Sequence, residues 1–375
     1  MTTNRIDPRG WRCRAAEMVA SVKEKGYLGD PRLEAAFAQT PRHHFVPEFL
    51  RLDVDPEGAA QVVGVVDGTS PEYLDALYSD QALMTQTKPV RGQPGSFVWS
   101  SSSSMPSVMA DMIEELDVHP GLRVLESGTG TGYNAAILCH LLGDAAVTTI
   151  EIDQELLYAA IDRLAGVGYH PSTEPAPRGY DRILATHAVD QVPPDWITWA
   201  RPGAIILTDL RPPSNTQVGA WLKLVVDADG RGATGRLMPP RGYFMSARRV
   251  PEFADDGQNL PELTIEEHQH RAGLIERRDV RVPPDVLDDA AFALYSWRRN
   301  LDIWSWRQDG EVTLSAADGS WAQVGGDTVS LIGDRDLWAD VEHTYADWRA
   351  FGQPPITDWT VRVTSDGSTE VVLPG

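Results

Sequence analysis

At 375 residues the chain is too long for one typical hydrophobic core, so we expect two domains or one domain with a substantial appendage. A formal net charge of −21, a pI near 4.7 and the lack of any Lys/Arg-rich run exclude a nucleic-acid or anionic-membrane partner. Two cysteines, Cys13 and Cys139, exclude a disulfide framework. Neither they nor His43, His44, His140 and His187 carry metal-ligand spacing, so no metal is expected and each histidine reads as a surface or core residue. No apolar run reaches the roughly 18 residues of a membrane span, and Arg5, Arg9, Arg12 and Arg14 interrupt any signal-peptide core, so a cytoplasmic location is expected.

In chain order, Ala15, Met18, Val19 and Val22 form the apolar stripe of a helix that stops near Gly26, and Asp30-Pro31 opens a second helix ending before Pro41. From about Asp53 to Gly95 the chain reads as polar and irregular, leading into the serine run Ser100 to Ser104. A helix is expected from about Pro106 to Leu116, then a strand at Leu122 to Leu125 and a helix opening at Asn134. Val147 to Ile150 is the next strand and Leu156 to Leu164 the next helix. Tyr180 to Ala185 and Ala204 to Leu207 read as buried strands, and Trp221 to Val226 as an antiparallel edge strand. Residues 250–285 are polar and proline-punctuated. Seven of the twelve tryptophans then fall between 290 and 360, with Trp338, Val341, Tyr345 and Trp348 at helical spacing and a hairpin predicted across Trp359 to Leu373. These aromatics read as the core of a small α+β appendage, with an aromatic peptide groove as the alternative.

The most specific signal is Val124-Leu125-Glu126-Ser127-Gly128-Thr129-Gly130-Thr131-Gly132-Tyr133-Asn134: a strand ending in an acid, three glycines at alternate positions, and a helix start. A dinucleotide fingerprint would need glycine at 133, where this chain has Tyr133. The pattern E-x-G-x-G-x-G resembles motif I of S-adenosylmethionine-dependent methyltransferases. Glu151 ends the next strand, where an acid accepts both ribose hydroxyls. The expected fold is therefore α/β, a Rossmann-like class I methyltransferase, with an N-terminal helical and substrate-loop region (1–105), a cofactor domain (106–249) and a Trp-rich α+β extension (250–375). Glu126, Gly128, Thr129, Gly130, Gly132, Asn134 and Glu151 are the expected cofactor residues. Asn134 has two readings, an orienting or methionine-end contact and a plain helix opening. Asp153 likewise reads as a ribose contact or as the cap of the helix from Gln154.

Four short segments resemble the protein-L-isoaspartate O-methyltransferases: Thr40-Pro41-Arg42-His43-His44-Phe45-Val46-Pro47, Tyr78-Ser79-Asp80-Gln81-Ala82-Leu83, Ser102-Ser103-Ser104-Met105-Pro106, and motif I. The resemblance covers about residues 10–250. The four-serine run, the form of motif I and the Trp-rich extension are similar to a subgroup found in gene clusters for ribosomally made, modified peptides (graspetides made by ATP-grasp ligases, and some lanthipeptides). That resemblance implies methylation of an aspartate side chain in a modified precursor peptide, followed by closure to aspartimide and hydrolysis to isoaspartate. The implied partners are the precursor peptide and a maturation ligase or synthetase. Repair of isoaspartyl proteins is the alternative within the enzyme class, and a non-catalytic peptide-binding role the alternative outside it. One departure stands out: only His170 to Gly179 occupy the place of a family strand and adenine-flanking turn, so either a strand beside the central one is missing or a short irregular segment replaces it, and Glu174 is the only acid left to approach the adenine.

A carboxylate acceptor is already ionised near neutral pH, so methyl transfer to it needs aim and mild desolvation rather than a base. Neutral hydroxyls suit this better than a cation, which would stabilise the ground-state carboxylate. Ser102 and Ser104 precede a helix and read either as such donors or as a loop with one capping serine. The family resemblance implies Ser104 as the catalytic residue and Ser102 and Ser103 as substrate contacts. Arg42 reads equally as a contact for peptide carboxylates or as a structural ion pair.

Overall fold

The computed structural model describes residues 10–54, 60–89, 97–212, 218–239, 244–248, 276–299, 301–308 and 310–374. Helix α1 (Gly10–Glu24) buries the expected stripe Ala15, Met18, Val19 and Val22. Helix α2 (Pro31–Gln39) starts where its cap predicts, with the Asp30 carboxylate accepting from Arg32 N at 2.8 Å and proline in the first turn. A short α3 (Arg42–Phe45) follows.

The region expected to be irregular is two hairpins. Strands β1 (Glu48–Val54) and β2 (Ala60–Asp67) pair antiparallel; after α4 (Tyr73–Leu77), β3 (Leu83–Pro89) pairs with β4 (Phe97–Ser103). Their sequences hide them because the strands are partly wet on both faces, which removes the period-2 hydrophobic signal. Val62, Val63, Val65, Phe97 and Val98 all stay exposed. Ser100 to Ser103 form the end of β4, so the run is strand up to Ser103, and Ser104 follows it.

From α5 (Pro106–Glu115) the chain builds the central sheet: β5 (Val124–Ser127), α6 (Tyr133–Leu142), β6 (Val147–Ile150), α7 (Gln154–Gly166), β7 (Tyr180–Val189), α8 (Pro194–Trp199), β8 (Ala200–Leu210), β9 (Ala220–Val226) and β10 (Gly232–Met238). The C-terminal part adds β11 (Glu276–Asp279), α9 (Ala290–Arg298), β12 (Ile303–Gln308), β13 (Glu311–Ala316), β14 (Trp321–Gly325), β15 (Thr328–Ile332), α10 (Leu337–Ala350), β16 (Thr360–Thr364) and β17 (Thr369–Val372). The order of the eight-stranded sheet is β17-β16-β10-β9-β8-β7-β5-β6, parallel from β6 to β8 and antiparallel beyond.

Three expectations change here. The 170–179 segment does replace a strand, but it lies beside β6, where Ser172 exchanges backbone hydrogen bonds with Val147 and Thr149 (3.1 and 2.9 Å). β7 pairs directly with β5, so the shortening costs the sheet an edge and leaves its centre continuous. Strand β9 is antiparallel as expected but interior, because β10 and then the β16–β17 hairpin cover it. That hairpin also carries the central sheet past the boundary expected at residue 250; of the expected polar segment 250–285, residues 250–275 lie outside the described residues.

Strand alternation sends Val124, Leu184 and Leu207 to a core shared with α1, α2, α5 and α6. Leu125, Ile183 and Ile206 point the other way, into a core continuous with Phe292, Leu314, Trp338 and Trp359 of the C-terminal part. Trp338 and Trp359 are fully buried there, which supports the core reading of the tryptophans. No described helix is long and apolar enough to cross a membrane.

Candidate active site

From β5 the chain turns outward to β6, and then returns to place β7 on the other side of β5. Ligands bind where a parallel sheet reverses direction in this way, at the carboxyl ends of the two strands. A cavity of about 570 Å³ lies there, a size suited to a small-molecule ligand. Its walls are the glycine turn (127–131, 133 and 134, with Gly132 turned to Ala160 and off the wall), Ile150 to Ile152 after β6, Thr186 and His187 at the end of β7, the serine run, and the short segment 244–248.

The glycine turn is a built cradle. Gly128 has φ +98° and Gly132 φ +87°, a left-handed region that penalises side chains. A Cβ at Gly128 would stand 2.6 Å from Thr186 Oγ1, and one at Gly132 would stand 3.1 Å from Ala160 Cβ. Thr129 lies on the cavity wall, and its hydroxyl meets Thr149 Oγ1 at 2.6 Å. Gly130 N donates to Glu151 Oε2 at 3.0 Å, tying the turn to the expected ribose acid. The other oxygen of Glu151 accepts from Ile152 N and Asp153 N (2.9 and 3.2 Å), with the Arg248 guanidinium at 3.8 Å.

Glu126 does not take the expected place against the cofactor: it is fully buried behind the turn and off the cavity wall. Its carboxylate accepts from Asn134 Nδ2 at 2.7 Å and from the Thr149 hydroxyl at 2.6 Å, so it holds the residues that face the cavity. Burial pushes its carboxyl up to about 7; the bonds from Thr149 and Asn134 oppose the rise and the charge of Glu151 adds to it. The folded state therefore holds an extra proton between the ordinary value of 4.5 and about 7. Stability from this group is present below that window and lost as pH rises through it. Glu126→Gln should flatten that part of the stability–pH curve, measured by thermal unfolding on both sides of the window; an unchanged slope assigns the dependence elsewhere.

The serine strand lies against the cradle: a Cβ at Gly130 would stand 3.7 Å from Ser102 O and 3.8 Å from Ser101 Oγ. Ser101 and Ser103 are buried, and the alternate residues Ser102 and Ser104 are half-buried at the cavity. The capping alternative does not hold. Helix α5 has no side-chain cap from Met105, and its first turn is instead capped by Asp80 Oδ1, which accepts from Ser107 N at 2.9 Å. The Ser102 and Ser104 hydroxyls have no hydrogen-bond partner among the described residues.

Arg42 does not reach the cavity, which corrects its reading as a substrate contact, and it forms no ion pair among the described residues either. It is fully buried, and its guanidinium donates to the carbonyls of Leu77, Ser79, Gln81, Ser103 and Ser104 (2.8–3.2 Å) and to the Ser103 hydroxyl (3.2 Å). The Ser103 side chain is thus also structural. The only Lys or Arg on the cavity wall among the described residues is Arg248, paired with Glu151 and Asp153 and distant in sequence from the serines. Asp153 is the α7 cap, accepting from Glu155 N and Leu156 N, and does not line the cavity. Glu174 is exposed and off the wall. Among the described residues no cluster could hold a metal ion.

His187 reads from its sequence context as a surface or core residue, yet it lines the cavity. Its Nε2 lies 2.9 Å from Ser127 Oγ, and its ring packs on Gly128 and, at 5.9 Å, on Trp196. Burial lowers its pKa to about 4, so it is neutral. The register supplies the missing signal: Ser127 faces Ala185, so the two residues after Ala185 stand level with the glycine turn.

Fold and site together define a class I S-adenosylmethionine-dependent methyltransferase. The residues present fit that cofactor: a cradle without side chains, an acid, Glu151, where a ribose is expected, and Asn134 Oδ1, a buried acceptor at the wall with no partner among the described residues. A family model described as Protein-L-isoaspartate(D-aspartate) O-methyltransferase (PCMT) matches residues 13–229, and the chain belongs to that family. It is a carboxyl O-methyltransferase using S-adenosyl-L-methionine. It is similar to protein-L-isoaspartate O-methyltransferase 1 of Cupriavidus necator, 33% identical over 240 residues covering 60% of this chain and 76% of that one. The protein-L-isoaspartate O-methyltransferase of Methanopyrus kandleri is 31% identical over 209 residues, 52% of this chain and 76% of its own. A solved structure titled protein-L-isoaspartate O-methyltransferase shares the fold over 95% of this chain and 98% of its own, with a TM-score of 0.51 and 18% identity.

Proposed function

We propose that the enzyme methylates the free α-carboxylate of an isoaspartyl residue presented by a peptide or protein. The observation that carries this reading is the serine run: two hydroxyls without a partner among the described residues, placed against the glycine turn, in a part of the wall that no described Lys or Arg reaches. When bound, S-adenosylmethionine supplies an electrophilic methyl group. Glu151 and the glycine turn hold the ribose and orient the methionine end, while Ser102 and Ser104 donate to one carboxylate oxygen and leave the other aimed at the methyl. One C–O bond forms as one S–C bond breaks, and no proton moves, so no general base is required. His187, neutral and turned to Ser127, shapes the wall without offering charge.

Ser104→Ala should slow single-turnover methylation by about tenfold or more, the worth of one hydrogen bond to a charged group, with cofactor affinity unchanged. Methylation at the wild-type rate would remove Ser104 from the chemistry.

The second reading, methylation of an aspartate in a ribosomally made, modified precursor peptide on the way to aspartimide or isoaspartate, is favoured by the exposed apolar residues Val62, Val63, Val65, Phe97 and Val98 on the hairpins beside the serine run. Such surface suits a substrate larger than a short linear peptide. The two readings separate on a short linear isoaspartyl peptide. Methylation of it at ordinary rates supports the repair reading; refusal of it, with methylation of a macrocyclised precursor, supports tailoring. Two unpaired cysteines, Cys13 exposed and Cys139 buried, suit the reducing cytoplasm in either case.

A further inference from the structure

We propose that Asp153 is a positioning residue that couples cofactor occupancy at Glu151 to the placement of the serine strand, through a relay running Glu151–Asp153–Gln86–Ser100. The inference rests on reading that strand as the acceptor wall. The backbone N of Asp153 donates to Glu151 Oε1 at 3.2 Å, so the loop that holds the ribose acid also sets the direction of the Asp153 side chain. One carboxylate oxygen, Oδ1, caps α7. The other, Oδ2, meets Gln86 Nε2 at 3.3 Å, Lys88 Nζ at 3.1 Å and Arg248 Nη1 at 3.5 Å.

A helix cap requires only the first oxygen. The second gathers two side chains of β3 and one of the segment 244–248. Gln86 and Lys88 both reach this oxygen across a register irregularity of β3 between Gln86 and Thr87. The Gln86 amide is used at both ends: Nε2 donates to Asp153, and Oε1 accepts from the Ser100 hydroxyl at 2.8 Å, at the start of the serine run. Segment 244–248 is pinned in turn to β7 by Ala188 N to Met245 O (2.8 Å) and Ala247 N to Ala188 O (2.7 Å). The side chain of Asp153 is 4% exposed and that of Arg248 7%, so these charges are shielded from bulk water and hold their geometry better than a surface pair. One carboxylate thus ties three walls of the cavity together, directly behind the residue that binds the ribose.

The relay is tested by hydrogen exchange in the full-length protein with and without S-adenosylhomocysteine, for wild type, Asp153→Asn and Lys88→Gln. Asparagine keeps an oxygen for the α7 cap and loses the charge; Lys88→Gln leaves Asp153 in place. In wild type the ligand should slow exchange at Thr87, Lys88, Val98 and Trp99, none of which lines the cavity, by about fivefold or more. In both variants that remote protection should be lost while protection at Gly130 and Glu151 persists. Full remote protection in the variants, or none in wild type, overturns the proposal and leaves Asp153 a helix cap. With an isoaspartyl peptide, both variants should raise the peptide KM by about fivefold or more at nearly unchanged S-adenosylhomocysteine affinity. A wild-type enzyme that ignores that peptide counts against the substrate reading alone, because exchange is read without any peptide.

Discussion

Arg42→Ala should destabilise the protein by about 3–5 kcal/mol, since several buried acceptors are left unpaired at about 1–3 kcal/mol each and a void opens where the side chain stood. The guanidinium has no carboxylate in contact among the described residues; five carbonyl dipoles and one hydroxyl solvate it in place of water. Truncation leaves those acceptors buried and unpaired, each desolvated without return, and opens a void beneath the Tyr133 ring, 5.7 Å from the guanidinium carbon. Arg42→Lys should recover only part of the loss, since three donors on a flexible stem cannot reach six acceptors spread around a planar fork. Urea unfolding of both variants measures this, and a loss below about 1 kcal/mol for alanine would show that the carbonyls find other partners. Because three of the six acceptors belong to Ser103 and Ser104, any folded fraction of Arg42→Ala should also methylate poorly.

Glu151→Ala should weaken binding of S-adenosylhomocysteine by at least about tenfold, and the geometry places the effect toward the upper end of the roughly 1–3 kcal/mol for an orphaned buried polar group. The variant loses the ribose acceptor. It also frees Gly130 N, Ile152 N and Asp153 N, which the carboxylate now holds, and leaves Arg248 with Asp153 as its remaining acid among these contacts. The cradle thus loses its tether and its ligand contact together. Glu151→Gln keeps acceptor oxygen for the amides and should fall between the two. Titration calorimetry with S-adenosylhomocysteine decides the matter; wild-type affinity in Glu151→Ala would move the ribose site elsewhere. Thermal unfolding of the same variant should show a smaller loss than Arg42→Ala, because Glu151 stands at the cavity wall where water can replace part of what is removed.

Local chemistry makes part of this enzyme legible in its amino-acid sequence. Glycines at 128, 130 and 132 are readable because their backbone conformations exclude side chains, and the caps at Asp30 and Asp153 because a short acid satisfies nearby amides. Glu151 is readable because a strand's end fixes where its last side chain stands. Tertiary structure alone decides the rest. A buried arginine and a surface arginine look alike in sequence; only the convergence of carbonyls from α4, its following loop and the serine strand makes Arg42 a clamp rather than a peptide contact. Ser100 to Ser103 are strand instead of loop because β3 pairs with β4. His187 enters the cavity through the pairing register of β5 with β7; β9 is interior because β10 pairs onto it, and β10 is covered in turn by a hairpin more than a hundred residues later. The glycine turn follows from constraints that lie within a few residues of backbone; the serine run's place at the cavity, the buried clamp and the sheet's edge depend on long-range pairing and burial, which no local pattern encodes.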